Sequence, residues 1–229
     1  MLSEYGRSGV NTVARPVARA LVRAGVTPNG ITLTGLVLTC AAALTCLGSG
    51  HFVLGAVLIA VFALFDLLDG AVARAGAGGS SYGALVDAVS DRVADGAIFA
   101  ALVWWLVGHE PDNLYLLGML LGGLVFSQVV SYSKARADAG GLATPGGLME
   151  RADRLVVILG GAGLAGLGVP WALEVAATIV AVGGFVTVCQ RMWGGRRDFL
   201  DRRDGGHELP RDVGRSPGVD TGHEPGEAR

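Results

Sequence analysis

The chain has 229 residues, of which 51% are hydrophobic and 17% charged, with a formal net charge of -2 and a mean hydropathy of +0.50. A chain this apolar is not an ordinary soluble domain, and its length suffices for one membrane domain. Cys40, Cys46 and Cys189 are odd in number and lie in apolar stretches, so they predict no disulfide framework and no metal pattern. We expect no nucleic acid among the partners.

Residues 8–24 have the pattern of an amphipathic helix. Arg15, Arg19 and Arg23 recur every fourth position, and valines and leucines fall at helical spacing between them. Such a helix would lie on a membrane surface with its basic stripe toward lipid phosphates. A solvated helix packed on the protein itself is the alternative. The region has no continuous apolar stretch of the kind found in secretory signals.

Six apolar stretches follow, each near the ~20 residues that a helix needs to cross a bilayer. They lie at about 30–48, 52–73, 84–108, 114–135, 153–169 and 171–192. Thr27 and Pro28 predict the N-cap and first turn of the first one. We therefore predict an all-α, polytopic membrane protein with six transmembrane helices and an N-terminal amphipathic juxtamembrane helix, over residues 1–193. The charged residues 194–229 predict a cytoplasmic tail that is largely disordered.

Lysine and arginine occur in every second connection between these spans. They precede the first span and follow the second, fourth and sixth, and the connections at 48–51, 109–113 and 168–170 contain none. The positive-inside rule then places both termini and the turn between the second and third spans in the cytoplasm. The predicted location is the cell membrane.

Four aspartates flank that turn. Asp66 and Asp69 are three residues apart and Asp87 and Asp91 four apart, so each pair projects from one face of its helix. The glycine-rich turn between the helices would bring the pairs together. Carboxylates crowded in a low-dielectric environment repel one another and require a cation. With oxygen ligands and no Cys or His, the pattern favours Mg²⁺, or Mn²⁺, over zinc.

The same stretch carries the motif D-x2-D-G-x2-A-R-x8-G-x3-D-x3-D without a gap or substitution. Its fixed positions are Asp66, Asp69, Gly70, Ala73, Arg74, Gly83, Asp87 and Asp91. On these residues the chain resembles the CDP-alcohol phosphotransferase family, whose members are integral membrane enzymes that displace CMP from a CDP-linked lipid with an alcohol. The expected substrate is therefore CDP-diacylglycerol, and the expected cofactor is a pair of Mg²⁺ ions, with Mn²⁺ as the alternative.

Each aspartate of the motif has an expected role. Asp66 and Asp87, one from each helix, would best bridge the two ions, and Asp69 and Asp91 would complete their coordination. The resemblance also implies that Asp91 is the general base that takes the proton of the attacking hydroxyl. These two roles compete for the same Asp91 oxygens, and the sequence leaves both open.

Several further residues are expected at the CDP-lipid site. Gly70 leaves room beside a metal ligand, and the planar guanidinium of Arg74 suits a diphosphate oxygen. The resemblance adds Ser80 and the helix N-terminus at residues 29–32, although an ordinary turn serine would explain Ser80 equally well. The predicted CDP-lipid residues are Asn29, Gly30, Ile31, Thr32, Gly70, Arg74 and Ser80.

The second half of the chain resembles the actinobacterial phosphatidylinositol phosphate synthases of this family. The resemblance implies a homodimer and a basic pocket for the phosphate of the acceptor, inositol phosphate. The matching residues are Lys134, Arg154 and Arg191, with Arg136 and Arg151 as helpers. The positive-inside rule alone would also account for these cations. Asp153 could orient the neighbouring Arg154.

Three functional hypotheses follow. The leading one is transfer of the phosphatidyl group of CDP-diacylglycerol to 1D-myo-inositol 3-phosphate, giving phosphatidylinositol phosphate and CMP. Glycerol 3-phosphate as acceptor keeps the same chemistry and also needs basic residues. A cation transporter is the third, because carboxylates in a membrane also form ion pathways. The position of the aspartates at the ends of two consecutive spans, beside Arg74, argues against transport.

Overall fold

Consecutive helices with short connections make up the described part of the protein. The computed structural model describes residues 27–75 and 80–204, and for residues 28 and 64–75 it describes the backbone alone. The helices are α1 (Pro28–Ala42), which continues as a π-helical turn (Ala43–Leu47), α2 (Phe52–Ala75), α3 (Ser81–His109), α4 (Leu114–Ala139), α5 (Arg151–Gly166) and α6 (Ala172–Asp204). These residues form no strand, so the predicted all-α class is confirmed for them.

The helix bounds follow the predicted spans, with one clear difference at α6. This helix continues past Trp193 to Asp204, whereas a tail was predicted from residue 194. The extension is held by Asp198, which pairs with Arg202 one turn later at 2.9 Å and accepts a hydrogen bond from the Ala143 backbone. The predicted helix at 8–24 and the tail beyond 204 lie outside the described residues.

Among the described residues, three helices are long and apolar enough to cross a membrane. They are Asn29–Leu47, Leu114–Ala139 and Ala172–Asp204, and Phe52–Ala63 is a shorter apolar segment. All six helices also expose large apolar side chains, such as Val37, Trp104 and Phe185. Apolar surface distributed in this way is typical of contact with lipid. Length and hydropathy thus confirm three of the predicted spans within the described residues.

Local sequence signals explain where α1 and α3 begin. The Thr27 hydroxyl accepts a hydrogen bond from the Gly30 N–H at 3.2 Å, and Pro28 occupies the first turn, as predicted. The Ser80 hydroxyl accepts from the Gly83 N–H at 2.9 Å. Each of these oxygens satisfies one of the N–H groups that a helix start leaves without an intrahelical partner.

The alternating direction of the helices gives the bundle two different ends. We call the end where α1, α3 and α5 begin the acidic end, because it carries Asp87 and Asp91. The fully buried side chains of Leu47, Leu106 and Leu116 lie near the opposite end and belong to one hydrophobic core.

Helices α5 and α6 approach each other closely at Gly161. A Cβ atom on Gly161 would lie 2.1 Å from the Ala176 Cβ and 2.9 Å from the Ala172 carbonyl oxygen. The neighbouring Gly160 is exposed, and a Cβ atom there would meet nothing within 4 Å. The absence of a side chain at Gly161 thus permits close packing of these two helices.

Gly161→Ala is expected to lower the free energy of unfolding by about 1–3 kcal/mol, because the added methyl group forces α5 and α6 apart. Gly160→Ala is the matched control, and it should be neutral or stabilising by up to ~1 kcal/mol, since alanine is the better helix former. The two variants are compared by thermal unfolding in the same detergent. Equal Tm values would contradict the close contact.

Candidate active site

Three aspartates lie in register along α3. Asp87 and Asp91 are half-buried and one turn apart on one helix face, as predicted. Asp95 follows one turn deeper and is only 3% exposed. Asp95 is not among the site residues predicted from the sequence. The sequence pattern that could have revealed it is the spacing of four residues from Asp87 to Asp91 to Asp95, which continues into an apolar span. A carboxylate buried there needs a cation.

The first turn of α5 supplies these cations. The Arg151 Nη1 atom is 2.9 Å from Asp91 Oδ1, and its Nε atom is 3.4 Å from Asp95 Oδ1. The Arg154 Nη2 atom is 3.3 Å from Asp95 Oδ2. Asp91, Arg151, Asp95 and Arg154 therefore form a chain of alternating charges that joins the two helices. We call these four residues the α3–α5 charge network.

The connection between α4 and α5 fixes the position of this turn. Three of its backbone N–H groups donate to side chains of α6, at 2.9 to 3.0 Å: Ala143 to Asp198, Leu148 to Gln190, and Met149 to Thr187. The segment also packs closely on α6, because a Cβ atom on Gly147 would lie 2.0 Å from the Thr187 Cγ2 atom. The connection thus ties the start of α5 to α6.

Asp153 has a different role from the one proposed from the sequence. Its Oδ2 atom accepts a hydrogen bond from the Glu150 N–H at 3.0 Å, so the two residues form the capping box that starts α5. The described carboxylate that contacts Arg154 is Asp95. Adjacent residues on a helix point in different directions, which explains why proximity in sequence was misleading here.

A cavity of about 30 Å³ lies beside Asp91. Its lining includes Arg151 from α5, Ser90 from α3, and Ile31 and Thr32 from α1. Two of the predicted CDP-lipid residues therefore lie at the same cavity as the predicted catalytic aspartate.

The starts of α1 and α3 lie side by side. A Cβ atom on Gly83 would lie 3.2 Å from the Asn29 Oδ1 atom and 3.2 Å from the Ser80 Oγ atom. Gly83 thus permits the two helix starts to approach closely, and the predicted residues Asn29 and Ser80 are neighbours. Ser80 is exposed at the acidic end, and its hydroxyl caps the start of α3.

Helix α2 carries the other half of the motif. Asp66, Asp69, Gly70 and Arg74 all lie in its helical backbone, and their side chains are outside the described part of the structure. Contacts of these four side chains stay predictions.

The predicted metal ligands can be judged by their chemistry. Among the described residues, no three Asp, Glu, His or Cys side chains come together as a metal site. The side chains of Asp66 and Asp69, two of the four predicted ligands, are outside the described part of the structure. Asp87 and Asp91 offer carboxylate oxygens from one helix face, and such ligands suit Mg²⁺ or Mn²⁺. The described donor set therefore fits the predicted ions.

The three residues predicted to bind the acceptor phosphate have different surroundings. Arg154 belongs to the α3–α5 charge network. Arg191 in α6 is 5% exposed and donates from Nη1 to the Val130 carbonyl oxygen of α4. It also lines a cavity of about 610 Å³ between α4 and α6, together with Arg136. Lys134 is exposed on α4 and does not line that cavity. Convergence of the three stays a prediction.

Several guanidinium groups keep buried donors. Within residues 27–75 and 80–204, the Nε atoms of Arg92 and Arg191 and the Nη1 atom of Arg154 are buried without a hydrogen-bond partner. Leaving a charged donor unpaired in a low-dielectric environment costs free energy. These donors suit an anionic ligand, and phosphate oxygens are strong acceptors for arginine.

Apolar helices, an acidic helix face and buried guanidinium groups together define a membrane enzyme that handles phosphate-bearing substrates. The profile of the CDP-alcohol phosphatidyltransferase family matches residues 25–188, and the chain belongs to this family.

Its relatives include phosphatidylinositol phosphate synthases of actinobacteria. The enzyme of Corynebacterium glutamicum is 45% identical over 192 residues, which cover 84% of this chain and 88% of the relative. That of Mycobacteroides abscessus is 45% identical over 203 residues, or 86% and 91% of the two chains. The predicted family and the predicted enzyme class are thus confirmed.

Solved structures of the Mycobacterium tuberculosis phosphatidylinositol phosphate synthase (PgsA1) have the same fold. The structure with CDP-DAG bound has a TM-score of 0.76 at 41% identity, over 80% of this chain and 93% of that chain. The structure with manganese and citrate has a TM-score of 0.76 at 42% identity, over 80% and 88%.

Asp198→Ala is expected to loosen the connection between α4 and α5, because the Ala143 N–H loses its acceptor, at a cost of about 1 kcal/mol. Hydrogen exchange of residues 141–150 should accelerate. Asp201→Ala is the control, since Asp201 is an exposed residue of the same helix. Equal exchange in both variants would show that Asp198 does not hold the connection.

Proposed function

We propose that the protein transfers the phosphatidyl group of CDP-diacylglycerol to 1D-myo-inositol 3-phosphate, giving phosphatidylinositol phosphate and CMP. Its family membership and the phosphatidylinositol phosphate synthases among its relatives support this reaction. The main observation in favour of a phosphorylated acceptor is the pair of buried arginines, Arg154 and Arg191. Each has a guanidinium N–H donor that makes no hydrogen bond to a described residue. A neutral alcohol would bring hydroxyl acceptors but no negative charge to compensate the buried guanidinium groups.

The reaction is a displacement at phosphorus. The acceptor hydroxyl oxygen forms a bond to the β-phosphorus of the CDP-lipid, the bond from that phosphorus to the bridging oxygen breaks, and CMP departs with the bridging oxygen. The hydroxyl proton passes to the Asp91 carboxylate, which acts as general base. Arg151, 2.9 Å from Asp91 Oδ1, restricts the orientation of that carboxylate.

The CDP-lipid would be bound by α1, the end of α2 and the start of α3. Residues 29–32 form the first turn of α1 and would present the positive end of its dipole to the phosphates. Arg74 would pair with a diphosphate oxygen, Gly70 would leave space for the nucleotide, and Ser80 would contact it from the start of α3. The position of Asn29 next to Gly83 and Ser80 supports a shared site.

Asp66, Asp69, Asp87 and Asp91 would hold two Mg²⁺ ions, with Mn²⁺ as the alternative. When bound, the ions neutralise the diphosphate and the charge that develops on departing CMP. The oxygen-only donor set supports this choice, as does the manganese in the structure of the mycobacterial enzyme.

The membrane arrangement is part of the same proposal. The chain would cross the cell membrane six times within a single domain over residues 1–193, with both termini and the acidic end in the cytoplasm. The concentration of arginine at the acidic end supports this orientation. A juxtamembrane helix at 8–24, a mostly disordered tail at the carboxy terminus and a homodimer complete it, by analogy with the family.

An assay of the purified enzyme with CDP-diacylglycerol, Mg²⁺ and one labelled acceptor at a time tests the reaction. Label from inositol phosphate should enter lipid with release of one CMP per transfer. A chelator should stop the reaction, and Mg²⁺ or Mn²⁺ should restore it. Incorporation from glycerol 3-phosphate alone would refute the acceptor, and transfer that survives complete removal of divalent ions would refute the metal site.

Asp91→Asn should reduce kcat by at least about 100-fold, because the amide cannot take the hydroxyl proton. Binding of CDP-diacylglycerol should change much less if proton removal is the main task of Asp91. Asp138→Asn, at an exposed position of α4, is the control. Substantial turnover by a correctly folded Asp91→Asn enzyme would contradict the base assignment, and loss of CDP-lipid binding would favour the metal-ligand role.

A further inference from the structure

Asp95 uses its two carboxylate oxygens on two different arginines. Oδ1 lies 3.4 Å from the Nε atom of Arg151, and Oδ2 lies 3.3 Å from the Nη2 atom of Arg154. The side chains of Asp95 and Arg154 are 4% and 3% exposed, so their contact is shielded from water. One buried carboxylate therefore restricts both guanidinium groups of the first turn of α5.

Each of the two arginines has a further N–H donor that does not contact Asp95. The Nη1 atom of Arg151 reaches Asp91, the candidate base, at 2.9 Å. The Nη1 atom of Arg154 is buried and has no acceptor among the described residues. Because an unrestrained arginine side chain has many rotamers, a fixed counter-ion is needed to present such a donor in one direction.

Stability alone is a weak explanation for this arrangement. Burying two charges costs desolvation energy that their attraction seldom exceeds, and apolar residues of the same size are often as stable. The start of α5 is already held by its own capping box and by the hydrogen bonds of residues 143–149 to α6. Other contacts thus hold this helix start in place, and the contacts of Asp95 fix the two arginine side chains in addition.

We propose that Asp95 is a positioning residue for the acceptor. Its carboxylate holds Arg154 so that the free edge of the guanidinium binds the acceptor phosphate, and it holds Arg151 against Asp91. The inference rests on the proposed function in that it assumes an acceptor with a phosphate group. Asp95 itself contacts neither substrate.

The test is steady-state kinetics of Asp95→Asn, which removes the charge and keeps the shape. The KM for inositol phosphate should rise about 10- to 100-fold, which corresponds to the loss of one charged hydrogen bond. The KM for CDP-diacylglycerol should change by less than about twofold. Thermal stabilisation of the enzyme by inositol phosphate, measured without turnover, should weaken in parallel. Asp138→Asn should match the wild type in all three measurements.

A double-variant comparison separates positioning from a general structural effect. If Asp95 acts through Arg154, the acceptor KM of Asp95→Asn/Arg154→Gln should equal that of Arg154→Gln alone. If Asp95→Asn does not fold, Asp95→Glu, which keeps the charge but displaces it by one methylene group, takes its place in both the single and the double variant. An unchanged acceptor KM in Asp95→Asn, equal effects on both substrates, or additive effects in the double variant would overturn the inference. If the wild type uses glycerol 3-phosphate instead, the proposed function fails, and the same comparison made with that acceptor still decides the role of Asp95.

Discussion

The ion pairs between α3 and α5 are the interaction on which the acidic end depends. Asp91, Arg151, Asp95 and Arg154 alternate in sign, with distances of 2.9 to 3.4 Å between successive partners. Asp95 and Arg154 are almost completely buried, so neither would be tolerated as an ion without the other. Such pairs add little net stability. We therefore infer that the main effect of the network is to fix the orientation of its side chains.

The two ends of the bundle therefore contribute differently. Leucines such as Leu102, Leu106 and Leu116 are fully buried toward the end opposite the aspartates, and burial of apolar side chains supplies most of the stabilising free energy there. The same helix, α3, carries Leu102 and Leu106 in its second half, Asp91 in its first half and Asp95 at its midpoint. A rigid apolar half can thus hold charged groups at fixed positions in the other half, although those groups cost desolvation energy.

Much of the fold could be predicted because hydrophobic length and helix capping are local properties. Thr27 at the start of α1 and the shared face of Asp87 and Asp91 are examples. Which helix packs against α3, in contrast, is not determined by the local sequence. Arg151, which pairs with Asp91, is distant in sequence, whereas Asp153 is next to Arg154 and serves as a cap. The extension of α6 beyond Trp193 was missed for the same reason, since a charged composition predicts a tail unless a tertiary contact of Asp198 is known.

The charge balance also restricts the substrate. The two carboxylates and two guanidinium groups of the α3–α5 charge network balance each other in charge. Even so, Arg154 and, outside the network, Arg191 each have a buried N–H donor without a hydrogen bond to a described residue. In the proposed reaction, a phosphate on the acceptor would supply oxygens for such donors, and the aspartates suit the cations that accompany a diphosphate. A neutral alcohol would accept weaker hydrogen bonds from these donors and would bring no negative charge to compensate the guanidinium groups. The buried arginines therefore make sense for an acceptor that brings its own negative charge, and its binding and the stability of this end of the bundle are thermodynamically linked.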